Sequence, residues 1–105
     1  MAYTINKSSS FEYDYDEMLS YLVDDLKSPR SALSLINEMD KAIEFLEATP
    51  YANSVSMRPA LAKNGYREMP VKNYVVVYRV RGRMVYLVRM FHQTQRYERF
   101  VMEWD

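Results

Sequence analysis

A chain of 105 residues suits one domain rather than two, and 49% apolar against 27% charged residues describe a folded chain rather than a disordered one. The absence of cysteine excludes a disulfide scaffold and a thiolate metal site, and no apolar run approaches the roughly 20 residues of a membrane-spanning helix. Net charge is zero, but residues 1–52 carry ten acids against four bases, a net of −6, and residues 53–105 carry ten bases against four acids, a net of +6.

Tyr3-Thr-Ile5 is short and β-prone, which predicts a strand within residues 2–7. The same N-terminus lacks the basic and apolar regions of a signal peptide, so a cytoplasmic location is expected. Ser9-Ser-Phe-Glu12 has the Ser-x-x-Glu spacing of a capping box. Phe11, Tyr15, Met18, Leu19, Leu22, Val23 and Leu26 then recur at helical spacing and predict one apolar stripe. Asp14, Asp16, Glu17, Asp24 and Asp25 fall mostly off that stripe and are expected to face water. Ser28-Pro29 ends this helix and starts another, with serine as cap and proline at the first helical position. The second stripe is Ala32, Leu35, Ile36, Met39, Ile43 and Leu46, and it closes before Pro50. So short a break predicts an antiparallel helix hairpin over a shared core.

Residues 50–64 have no period and read as a loop, with a turn of helix near Pro59–Ala62. From Gly65 the pattern becomes β. Tyr66–Val71, Tyr74–Val80 and Met84–Phe91 predict three antiparallel strands, with turns at Lys72-Asn73 and Arg81-Gly82-Arg83. Gln93–Trp104 is expected to be a tail or short helix. The expected fold is α+β, one domain over residues 1–105. An N-terminal strand and a helix hairpin pack on one face of a small, mainly antiparallel sheet.

If the last hairpin turns at Gly82-Arg83, facing residue numbers sum to 165. One face then carries Tyr74, Val76, Tyr78, Val80, Val85, Leu87, Arg89 and Phe91 toward the helices. The other carries Val75, Val77, Arg79, Arg81, Met84, Tyr86, Val88, Met90 and His92. It is apolar at one end and cationic at the other, and it is left for a partner or substrate.

His92 is the only histidine, and Arg89, Arg96, Tyr97 and Arg99 gather around it in sequence. Imidazole suits proton transfer near neutral pH, and arginine forks suit a phosphate. The same residues also suit a surface histidine among arginines that pair with acidic helices, and residue types alone favour that plainer reading, since such clusters are common. There is no glycine-rich phosphate loop, nucleophile elbow or histidine-rich metal spacing. No cofactor or metal is implied.

Five segments stand out: Glu44-Phe-Leu-Glu47 before Pro50, then Gly65-Tyr-Arg67, then Lys72-Asn-Tyr74-Val-Val-Val-Tyr78-Arg-Val80, then Val85 to His92, then Arg96-Tyr97. Together they resemble the RelE/ParE superfamily of toxins. The resemblance spans nearly the whole chain and is densest from Gly65 to Tyr97. It implies the toxin of a type II toxin–antitoxin system, held in a hetero-oligomer by an antitoxin whose tail covers the working surface.

Two mechanisms follow from the resemblance. A RelE-like toxin enters the ribosome and cuts mRNA through the ribose 2′-hydroxyl, without metal. Here His92 would transfer the proton, Arg96 would hold phosphate, and Tyr97 would orient or stack. Arg67, Arg79 and Arg81 would bind substrate. A ParE-like toxin poisons DNA gyrase by contact and needs no nuclease site. Val75 favours this branch, because RelE-like chains often place an arginine directly after the strand tyrosine. The cluster around His92 tilts the expectation toward the nuclease. A degenerate toxin that only binds its antitoxin is the third reading.

Overall fold

The computed structural model describes residues 2–53, 55–56 and 59–93. The expected C-terminal tail or helix, with Arg96 and Tyr97, lies outside them. Strand β1 (Thr4–Lys7) leads into helix α1 (Ser9–Ser20), a π-helical turn (Tyr21–Asp25) and helix α2 (Pro29–Ala48). A four-residue helix α3 (Pro59–Ala62) precedes strands β2 (Arg67–Val71), β3 (Tyr74–Arg81) and β4 (Met84–His92). The sheet order is β1-β4-β3-β2, with β1 parallel to β4 and the meander antiparallel. This is the expected α+β arrangement. Among the described residues no helix is long and apolar enough to cross a membrane.

The cap of α1 is Ser8, not the Ser9 that the capping-box spacing suggested. Ser8 has an extended backbone and accepts from the Phe11 N–H. Strand pairing selects it. The Ser8 N–H donates to the Leu87 carbonyl, and its hydroxyl donates to the Val88 carbonyl at 2.8 Å. The chain leaves the β ladder there and turns into the helix at the same residue.

Phe11 and Leu22 of the first stripe are buried, and Tyr15, Met18 and Leu19 pack against the same core. Val23 and Leu26 are exposed instead, at 40% and 53%. The π-helical turn holds more residues per turn than the α-helix, so it shifts the phase of the stripe after Leu22. Asp14 also departs from expectation: it is buried at 8% exposure. In α2, Ala32, Leu35, Met39 and Leu46 are buried, while Ile43 packs at the margin of the core. Ser28 caps it and Pro29 begins it, as the sequence indicates.

The β3–β4 register is the expected one near the turn and differs beyond it. Val80 faces Val85 and Tyr78 faces Leu87, but Val77 faces Arg89. Val88 is an extra residue, a bulge in β4. It reverses the faces of everything after it. Met90 therefore joins the helix-side core in place of Phe91. Phe91 joins a second cluster on the other face with Leu61, Tyr66, Val75 and Val77. The larger core, between helices and sheet, holds Phe11, Leu35, Met39, Val76, Tyr78, Val85 and Leu87.

Candidate functional site

The face of the sheet turned away from α1 and α2 is only partly open. At the end near Val75 and Phe91, Leu61 of α3 and Tyr66 cover it. At the other end Arg79 faces Tyr86 and Arg81 faces Met84 across the β3–β4 pair. With Ser8, Leu87 and Val88, the residues Arg79, Arg81 and Tyr86 line a shallow hollow of about 430 Å³. The strands set this out by simple alternation. The expected split of the face into an apolar and a cationic end is present.

Arg79 is positioned by an aromatic ring: its guanidinium lies 4.9 Å above the centre of the Tyr66 ring. Tyr66 is almost fully buried, so this contact fixes the direction of the arginine over the open face. Arg81 is exposed at the rim. The hollow thus has a cationic side, one phenol and an aliphatic floor. It offers donors for an anion or a carboxylate, and Tyr86 offers a ring face beside them.

The remaining site candidates do not gather there. Val88 turns His92 to the helix side of the sheet, where it pairs with Tyr74. The two rings meet edge to face at 5.6 Å and 82°. Tyr74 belongs to the helix-side core. Burial, with the Tyr21 phenol adding, raises its pKa above the usual tyrosine value, so it stays a neutral phenol at physiological pH. The alternation that placed His92 beside Arg79 and Arg81 is corrected by the bulge.

Arg67 is also on the helix side, paired with Tyr78. Its guanidinium lies 5.0 Å over Tyr51 and donates to the Asn53 carbonyl. It braces the loop after α2. Tyr78 completes that brace, with its hydroxyl donating to the Pro50 carbonyl at 2.7 Å. Arg79 and Arg81 are therefore brought together, whereas Arg67 and His92 are apart from them. Arg96 and Tyr97 lie outside the described residues. Ser8 and Tyr66 escaped the sequence reading. Ser8 enters the hollow through the parallel pairing of β1 with β4, and Tyr66 through the chain bending back at Leu61. Neither leaves a local signal. Among the described residues no cluster of His, Asp or Glu is arranged to hold a metal.

Similar structures are known. The chain resembles the chromosomal ParDE toxin–antitoxin system from P. aeruginosa at 19% identity and a TM-score of 0.68, over 87% of this chain and 96% of that one. It resembles the RelBE2 toxin–antitoxin complex from Mycobacterium tuberculosis at 19% identity and a TM-score of 0.62, over 88% and 99%. A conserved hypothetical protein from Helicobacter pylori matches at 21% identity and a TM-score of 0.57, over 89% and 97%. At these identities the likeness is one of fold. No curated protein sequence matches the chain. The sequence profile of the ParE toxin of type II toxin–antitoxin systems matches residues 5–97. With nearly its whole length matched, the chain belongs to the ParE toxin family of type II toxin–antitoxin systems.

Proposed function

We propose that this toxin acts by contact, as an inhibitor of DNA gyrase, and that an antitoxin encoded with it covers the open face of its sheet. The observation that carries this reading is the separation of His92 from Arg79 and Arg81. His92 sits against Tyr74 on the helix side, and the two arginines lie on the opposite face. Cleavage at a 2′-hydroxyl needs a proton-transfer group and phosphate ligands at one phosphorus, within hydrogen-bond reach of the same group. A contact inhibitor has no such requirement. Val75, a core residue where RelE-like chains often place an arginine, supports the same reading.

Two assays test it. Purified toxin should block supercoiling of relaxed plasmid by gyrase, and His92→Ala should block it equally well. After brief induction in bacteria, mapped 5′ ends of mRNA should show no new cuts inside translated codons. Codon-internal cuts that vanish in His92→Ala, Arg96→Ala or Tyr97→Phe would establish the ribosome-dependent nuclease instead. Absence of growth arrest would leave a toxin that only binds its antitoxin.

A further inference from the structure

The end of the sheet at the β3–β4 turn gathers cations and aromatic rings from four separate segments. The turn is Gly82-Arg83, with Gly82 at φ 59° and Arg81 facing Met84 across it. Arg81 and Arg83 are both exposed. The Arg83 guanidinium lies 5.3 Å over the Tyr3 ring. Tyr3 meets Tyr51 edge to face at 6.2 Å, and Arg67 lies 5.0 Å over Tyr51. Cation, ring, ring and cation thus follow one another around this end of the molecule.

Among the described residues Arg67, Arg81 and Arg83 make no ion pair with a carboxylate, whereas Arg89 is taken up by Asp14. A guanidinium stacked on a ring keeps in-plane N–H donors for a ligand and is held before the ligand arrives. Glu44 and Glu47 of α2 line a separate hollow with Ala2 and Ala48. Tyr21, which begins the π-helical turn, lies near Tyr74, at the opposite end of β3 from Arg81.

We propose that this end of the sheet docks on the phosphate backbone of duplex DNA, with Arg81 and Arg83 as the phosphate ligands and the Tyr3–Tyr51 ladder holding Arg83 and Arg67 in place. The source of that DNA is the duplex handled by gyrase, so in this respect the inference rests on the gyrase reading. An acidic protein is the other polyanion that guanidinium forks recognise, and polyglutamate stands for it in the test. Planar guanidinium forks match phosphate oxygens directly.

The test uses the purified full-length toxin, the double variant Arg81→Ala/Arg83→Ala, and Arg30→Ala as a control on the exposed start of α2. Fluorescence anisotropy reads binding to a labelled mixed-sequence duplex, to single-stranded RNA of equal length and to polyglutamate, over a salt series. The duplex should bind, with log K falling linearly against log salt. Each phosphate contact contributes about 0.9 to that slope, so the double variant should lose roughly 2 from it and at least tenfold in affinity at low salt. Arg30→Ala should match the parent chain. Circular dichroism of the double variant checks that the fold survives.

No duplex binding, an unchanged slope in the double variant, or tighter binding to RNA or polyglutamate would each overturn the proposal. The assay contains no gyrase. A toxin that blocks supercoiling without binding the duplex removes this inference alone. A toxin that binds the duplex without blocking supercoiling removes the gyrase reading alone.

Discussion

Asp14 of α1 and Arg89 of β4 are joined by two hydrogen bonds, from Nε at 2.7 Å and from Nη2 at 3.1 Å. The same carboxylate accepts the backbone N–H of Met90 at 3.0 Å. Strand β1 pairs with β4 only as far as Leu87, so the rest of the β4 edge would stand unpaired. Asp14 takes the place of a strand there, and the bulge at Val88 turns Met90 to receive it.

Asp14→Ala should therefore destabilise the fold more than Arg89→Ala does. Removing the carboxylate leaves a guanidinium and a buried N–H without their acceptor, a loss of about 2–4 kcal/mol for a mostly buried pair. Arg89 is partly exposed, with 26% of its side-chain surface accessible. Its removal leaves Asp14 bonded to Met90 and should cost about 1–2 kcal/mol. Urea unfolding of both single variants and the double variant measures the coupling. An Asp14→Ala chain within about 0.5 kcal/mol of the parent would show that the edge needs no such cover.

Ser8 joins the end of β1 to the start of α1. Ser8→Ala should cost about 1–2 kcal/mol, typical of a lost N-cap, since it also removes the donor to the Val88 carbonyl. Ser9→Ala should stay within about 0.5 kcal/mol, as expected of an exposed first-turn position. Thermal unfolding of the two variants separates them. Equal losses would restore Ser9 as the cap.

Lys72 occupies a left-handed backbone conformation, φ 56°, at the β2–β3 turn. A side chain with a Cβ pays roughly 1 kcal/mol there, and asparagine tolerates the conformation better. The Lys72 ammonium offsets part of that strain by donating to Ser34 at 2.7 Å, but the bond is exposed. Lys72→Asn should stabilise the chain by about 0.5 kcal/mol, and Lys72→Val should destabilise it by about 1–2 kcal/mol, because a branched Cβ fits φ > 0 poorly. Denaturation midpoints in urea give both signs.

The periodic parts of the fold were legible in the sequence. Two apolar stripes, a serine–proline break and a run of alternating strand residues suffice for a helix hairpin on a meander. The departures arise where a long-range contact overrides a local pattern. Glu12 three residues after Ser9 is a sound capping signal, yet Ser8 wins because β4 lies beside it. Asp14 is off the apolar stripe, yet it is buried because Arg89 and Met90 sit 75 and 76 residues away in sequence and beside it in space. The bulge at Val88 is the costliest to miss. One extra residue moves His92 from the arginine face to the Tyr74 face and divides the expected site. No local signature marks it, since Val88 is an ordinary strand residue.

The tyrosines give the fold a defined alkaline limit. Burial raises the pKa of Tyr78 above the usual value, with the nearby Asn53 side chain and the Arg67 charge opposing it. Tyr15 is raised by burial and by Asp40 and Asp16, and Tyr74 by burial and Tyr21. An unfolded tyrosine ionises near pH 10, about the reference value. Above that pH the unfolded chain has lost protons that the folded chain still holds, so stability falls as pH rises. Below it the contribution is complete and does not vary. Unfolding free energy, followed by urea titration from pH 8 to pH 11.5, should decline above about pH 10. Tyr78→Phe should lower stability at pH 8 by about 1–2 kcal/mol, through loss of the bond to Pro50. It should also decline less steeply than the parent at alkaline pH, because one of the perturbed phenols is gone. Parallel declines in the two chains would mean that Tyr78 ionises in the folded state as readily as in the unfolded one, and that its burial does not hold the proton.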